Sequence, residues 1–156
     1  MRRWLCAAAL VLVGCSDGTP AAGATGAALA GRSFVAARGC PTCHEPSDHA
    51  GTLAGDLAPV KGTLAFPANL TPDRTTGIGG WADIEIVRAM RFGVDDEGEE
   101  LCLTMPRFSA IGDDEAAAIV AYLRSLPPVV RQVPDSNCPP IKPPPPADMA
   151  MPPTDL

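Results

Sequence analysis

The chain of 156 residues has no apolar run near the roughly twenty residues that cross a bilayer; its longest, Trp4 to Val13, is about half that. A membrane-spanning anchor is thereby disfavoured. Around Cys40 there is no apolar β-branched run from which a parallel sheet could be built. Basic residues are outnumbered, 12 Lys and Arg against 18 Asp and Glu, for a formal charge of −6. The basic patch expected of a nucleic-acid binder is therefore missing. Beside Cys40, Cys43 and His44 stands no second well-spaced ligand pair, which weakens a structural zinc site.

What is present is one CxxCH, Cys40-Pro41-Thr42-Cys43-His44, the attachment signature of a c-type haem. On a helix, positions i, i+3 and i+4 share a face, so both sulfurs and the imidazole point at one flat object. The thiols can add to the haem vinyl groups, and His44 can ligate iron. The rival is a glutaredoxin-type dithiol in CPTC, with a low-pKa cysteine attacking disulfides. That chemistry needs a βαβ framework, whereas the flanks of Cys40 offer an Ala-rich helix and a Gly/Pro-rich loop.

The N-terminal end reads as a secretory signal: Arg2 and Arg3, then the apolar run, then Gly14-Cys15. Leu12-Val13-Gly14-Cys15 resembles the bacterial lipobox, which implies cleavage after residue 14 and a lipid on Cys15. Several acyl chains on one residue would hold the protein to a membrane with its domain in water. That places it in the cell envelope, on the periplasmic side. Losing residues 1–14 removes two arginines and no acids, taking the formal charge from −6 to −8. An acidic carrier suits a basic docking partner.

Residues 15–26 read as a flexible linker of Gly, Ala and Thr. Residues 128–156 read as a proline-rich tail, extended, disordered and unable to build a core. Between them, residues 27–127 suit one small domain. A helix is expected over Ala27–Arg38, with Ala27, Ala30, Phe34 and Ala37 on one stripe and Gly39 at its end. A second is expected from Gly80 or Trp81 to Gly93, with Ile84, Val87 and Met90 inward. The third has the strongest pattern: Gly112 caps it, Asp113, Asp114 and Glu115 fill its positive first turn, and Ala116, Ile119, Val120 and Leu123 repeat on one face. The stretch from Cys43 to Trp81 reads as long loop, which would pack on a cofactor.

Asn69-Leu70-Thr71-Pro72-Asp73, Thr76-Gly77-Ile78-Gly79-Gly80-Trp81, Val87-Arg88-Ala89-Met90-Arg91 and Ala121-Tyr122-Leu123-Arg124-Ser125-Leu126-Pro127 follow CxxCH in that order. Together they resemble the monohaem cytochrome c domains of bacterial membrane-bound dehydrogenase complexes, over most of Gly31 to Pro128. The resemblance implies an all-α cytochrome c fold with crossing terminal helices and long loops around one covalent haem c. It also implies a methionine followed by proline as sixth iron ligand, and Met105-Pro106 sits in the matching place. A thioether raises the reduction potential relative to a second histidine. Met90 is expected to be core filler. The family often carries an aromatic directly after Met-Pro, where this chain has Arg107 and then Phe108. Trp81 is open between donating to a haem propionate and filling the core. His49 is expected to be a solvated loop residue. Cys102 and Cys138 remain once lipid and haem have taken their cysteines, and in an exported protein they suggest a disulfide; the alternative is two unpaired thiols. The acidic run Asp95-Asp96-Glu97-Gly98-Glu99-Glu100 is either a solvated turn or a steering patch for a basic partner.

The function so implied is one-electron transfer between a dehydrogenase and an oxidase or other respiratory acceptor, without catalysis by this chain. The alternative is a haem enzyme or sensor, peroxidase-like or gas-binding, with a labile sixth ligand; the single CxxCH does not fit a dihaem peroxidase.

Overall fold

The computed structural model describes residues 22–139, which form four α-helices and a 3-10 turn: α1 Ala22–Ala37, α2 Pro41–His44, the turn Ile78–Gly80, α3 Asp83–Phe92 and α4 Asp113–Ser125. Among these residues there is no strand, only an isolated bridge between Val94 and Glu100. The fold is all-α. No helix among them is long and apolar enough to cross a membrane.

Helix α1 begins five residues before the expected start, inside the stretch assigned to the linker, although Gly23 and Gly26 are among those five. Residues 15–21 of that linker, and Cys15, lie outside the described residues. The buried stripe of α1 also differs from the expected one: Gly31 and Val35 are buried and Phe34 is partly so, while Ala30 and Ala37 face solvent. The cause is α4, which crosses α1 at Gly31. A Cβ there would overlap the Ala118 carbonyl oxygen and stand 2.8 Å from Tyr122 Cβ, so only glycine permits the approach. The α1/α4 pair makes the most extensive helix contact in the molecule. Arg38, just past α1, adds a bidentate pair to Glu115 in the first turn of α4, at 2.7 and 3.0 Å.

Helix α3 starts at Asp83, later than expected, after the 3-10 turn. Glu85 Oε2 accepts from the Ala82 N–H at 2.7 Å, the returning half of a capping box. Its core face is Ile86, Ala89 and Met90 rather than Ile84 and Val87; Ile84 is 72% exposed. The periodicity of a short helix with apolar residues at 84, 86, 87 and 90 admits either face, and packing selected the one around Ile86. Met90 fills the core as expected. Gly93 ends α3 in the left-handed conformation, φ +68°.

Helix α4 matches its pattern, with Ala116, Ile119, Val120 and Leu123 buried. They meet Val35, Leu53, Ile78, Ile86, Met90 and Ile111 in one core. Arg124 joins the end of α4 to the start of α3, donating to the carbonyls of Ile78, at 2.8 Å, and Trp81 and to Asp83 Oδ1 at 3.0 Å.

The expectation of a disordered tail from residue 128 fails for residues 128–139. They run extended, as proline requires, but they are strapped to the body. Val129 donates its N–H to Thr71 Oγ1 at 3.1 Å and accepts from Asn69 Nδ2 at 2.8 Å. Arg131 N–H donates to Thr76 Oγ1 at 2.9 Å, and its side chain, 10% exposed, pairs with Asp48 at 3.0 Å. Asn137 N–H donates to Leu64 O, and Phe66 N–H to Ser136 Oγ. A proline count is blind to partners supplied by the opposite loop. Residues 140–156 lie outside the described residues.

Candidate functional site

The site is built at the end of α1. Gly39, φ +74°, turns the chain out of that helix, and Cys40 N–H still reaches back to Val35 O at 3.2 Å. Pro41 then opens α2, where its fixed φ suits the first helical position and its missing N–H costs nothing. His44 N–H donates to Cys40 O at 3.0 Å, closing one helical turn. Cys40, Cys43 and His44 are thereby held on a single turn of α2, with both cysteines unbonded and partly buried.

His44 is 9% exposed. Its Nδ1 lies 2.8 Å from the Ala68 carbonyl oxygen, which can only accept, so Nδ1 carries the proton and Nε2 carries the lone pair. Burial holds the imidazole below its ordinary pKa, with the Ala68 bond opposing more weakly, so the ring is neutral. A neutral imidazole whose far nitrogen is tied to a carbonyl is the state in which a histidine ligates metal.

The Ala68 carbonyl is itself fixed from below. The next residue, Asn69, is 2% exposed, and its Oδ1 accepts from Thr71 N–H at 3.0 Å and Thr71 Oγ1 at 2.8 Å. Its Nδ2 donates to Val129 O and to Thr76 Oγ1 at 3.2 Å. Asp73 gathers the next turn: its Oδ1 accepts from the hydroxyls and N–H groups of Thr75 and Thr76. Those bonds, Thr76 first, hold its carboxyl at about 2. On the other side His44 O accepts from Gly55 N–H and Leu53 O from Leu70 N–H, both at 2.9 Å. Leu53 is buried in the core and left-handed, φ +53°, a conformation that strains a leucine and that the two loops around it enforce.

Met105 stands on a turn closed by its own N–H to Cys102 O at 3.0 Å, and it is half-buried. Cys102 is bonded to Cys138, with a Cα separation of 5.5 Å, so the strap is covalently tied to the Met105 turn. Trp81 is partly buried and packed against the core. His49 is exposed and pairs with Asp48 at 3.3 Å. The acidic run is a solvent-exposed turn, with Glu99 N–H on Asp95 Oδ1 at 2.7 Å.

The arrangement fits covalent haem and does not fit the rivals. Burial pushes the Cys40 thiol up, against the lowered value a disulfide-attacking thiolate needs. Among the described residues no three His, Cys, Asp or Glu side chains converge on a metal position. Two free thiols and one imidazole on one turn are the groups that attach a c-type haem and ligate its iron. Asn69, the Ala68 carbonyl and the Arg131 strap were not singled out from the sequence for these roles; the Asn69-Leu70-Thr71 run was only a family cue.

No protein-family model matches the chain. Among curated proteins, it is 40% identical over 122 residues to a component of the nicotinate dehydrogenase of Pseudomonas putida, covering 74% of this chain and 10% of that protein. It is 33% identical over 121 residues to a diheme cytochrome c-type protein of Cereibacter sphaeroides, covering 72% and 40%. To the gluconate 2-dehydrogenase cytochrome c subunit of Pantoea cypripedii it is 32% identical over 113 residues, covering 70% and 25%. The chain resembles the cytochrome c subunits of bacterial dehydrogenase complexes. The match spans less than half the length of each of these relatives. Two of these three relatives are cytochrome c proteins.

Proposed function

We propose that this chain is a lipid-anchored, monohaem c-type cytochrome that passes single electrons from a dehydrogenase to a respiratory acceptor. The observation that carries the reading is His44: buried, neutral, tied at Nδ1 to Ala68 O and standing one turn from two unbonded cysteines. Bound haem would supply the one-electron chemistry. Cys40 and Cys43 would hold it as thioethers, and the Ala68 bond would keep the His44 ring oriented with Nε2 free to ligate. Met105 would give a second iron ligand. The loops around Leu53 and Asn69 hold the Ala68 carbonyl, and through it the His44 ring, in place. Cys15 would carry the lipid, placing the domain on the periplasmic side of a membrane, and the formal charge of −8 after processing would favour a basic partner surface.

Expression with a cytochrome c maturation system tests the reading. We expect one haem per chain by pyridine haemochrome, loss of attachment in Cys40→Ala, and a ferric methionine-to-iron charge-transfer band at the red end of the visible spectrum that Met105→Ala abolishes. Two haems per chain, or a ferrous wild type that binds carbon monoxide readily, would turn the assignment toward a haem enzyme or sensor. Cys15→Ser should move the protein from membranes to the soluble fraction; unchanged membrane association would remove the lipid anchor.

A further inference from the structure

Residues 93–108 leave the end of α3 and return to it. Leu101 N–H donates to Gly93 O at 2.8 Å and Phe108 N–H to Met90 O at 2.9 Å, so both ends of the loop are pinned to that helix. Between them stands the Cys102–Met105 turn. Arg107, where the resembling family often has an aromatic, reaches under this turn. Its Nη2 donates to Leu101 O at 2.6 Å, and its Nη1 to Met105 O at 2.9 Å and, at the outer limit, to Cys102 O at 3.4 Å.

None of these carbonyls belongs to α3, so the guanidinium does not cap the helix; two belong to the turn that carries Met105 and the third, of Leu101, immediately precedes it. The backbone makes room for it. A Cβ at Gly93 would fall inside the guanidinium, and Gly93 is left-handed, so an alanine there would be both strained and in collision. A planar fork with five fixed N–H donors can span carbonyls on two sides of a turn. A lysine is a point charge on a flexible stem and cannot. Hydrogen bonds from a cation are roughly twice as strong as neutral ones.

We propose that Arg107 is a positioning residue for the sixth iron ligand: seated on Gly93, its guanidinium gathers the Leu101, Cys102 and Met105 carbonyls and fixes where the Met105 thioether stands. The proposal rests on the reading of Met105 as that ligand. The disulfide restrains the turn from outside through Cys102, while Arg107 restrains it from beneath, at Met105 itself.

External imidazole competes with a methionine for ferric iron, so its affinity reports how firmly the turn holds the sulfur. Holoprotein of the wild type, Arg107→Lys, Arg107→Ala, Arg74→Ala and Met105→Ala is titrated with imidazole while the charge-transfer band is followed. Arg74 is exposed, and its loss matches the charge change. Both Arg107 variants should bind imidazole ten- to a hundredfold more tightly than the wild type, tenfold being about 1.4 kcal/mol, and Arg74→Ala should bind as the wild type does. Affinities within about twofold of wild type in Arg107→Lys overturn the positioning role, and Arg107→Lys decides alone should Arg107→Ala not accumulate. Equal tightening in Arg74→Ala overturns it as well, by reducing the effect to net charge. Met105→Ala separates the two layers. If it loses the band and binds imidazole more tightly while the Arg107 variants do not change, only the positioning role falls; if it behaves as wild type, the ligand reading falls first.

Discussion

Replacing Cys102 and Cys138 by serine removes a cross-link that spans 36 residues of sequence and encloses both the Met105 turn and α4. In the chain-entropy account, a loop of that length is worth about 4 kcal/mol, almost all of it through the freedom the unfolded chain regains. The folded state gives the same answer from the other side. Without the disulfide the strap keeps its bonds from Val129 to Asn69 and Thr71, from Arg131 to Thr76 and Asp48, and from Asn137 to Leu64. The native structure should therefore persist while the balance with the unfolded chain shifts. Against a total of roughly 5–15 kcal/mol for a small domain, the loss is large. It corresponds to a drop in Tm of roughly 15 °C or more. Guanidinium chloride unfolding of the holoprotein, followed by far-UV circular dichroism, measures it. We expect an unchanged native spectrum, a much lower midpoint, and no thiol titratable at Cys102 or Cys138 in the native wild type. An unchanged midpoint in the double serine variant, or two reactive thiols in the native protein, would refute the reasoning.

Three further outcomes follow from the packing and the polar clamp. Gly31→Ala should lower the thermal midpoint, costing about 2 kcal/mol or more by overpacking against the Ala118 carbonyl, whereas Gly26→Ala, which has open space, should change stability by less than about 1 kcal/mol; equal melts would remove Gly31 from the helix crossing. Asn69→Ala strands Thr71 N–H and leaves Val129 O only the long bond from Thr71 Oγ1, and should cost about 2–4 kcal/mol in denaturant unfolding, and Asn69→Asp, unable to donate to Val129, should be destabilised too; a wild-type midpoint in either would show the clamp to be idle. Asp73 is depressed to about 2 by Thr76 and Thr75, so its contribution is present above the unfolded carboxyl pKa, about 4, and is lost as pH falls through about 2. Acid unfolding of the wild type should steepen in that window and that of Asp73→Asn should not; superimposable acid profiles would count against it.

How far the sequence could be read depends on how local each signal is. Helix α4 was legible because three acids at its positive end and an i, i+3, i+4, i+7 apolar repeat are contained within thirteen residues. The CxxCH was legible because one helical turn suffices to bring its groups together. The buried face of α3 was not, since Ile84 and Ile86 are equally apolar and only the position of the core distinguishes them. The strap was not, because Val129 and Arg131 find their partners 55 to 83 residues away. Arg107 was visible as a departure from the resembling pattern, but its use depends on Gly93 standing beneath it.

The sequence by itself determined one local cluster: two thiols and an imidazole on one turn. That is a fact of residue type and short spacing, which survives any tertiary arrangement. Only the tertiary structure decided which nitrogen of His44 is free, because the Ala68 carbonyl that takes the other comes from a loop 24 residues on. It also decided that the proline-rich segment belongs to the domain at least to residue 139, because hydrogen bonds between groups far apart in the chain carry no signature in the order of the residues that make them.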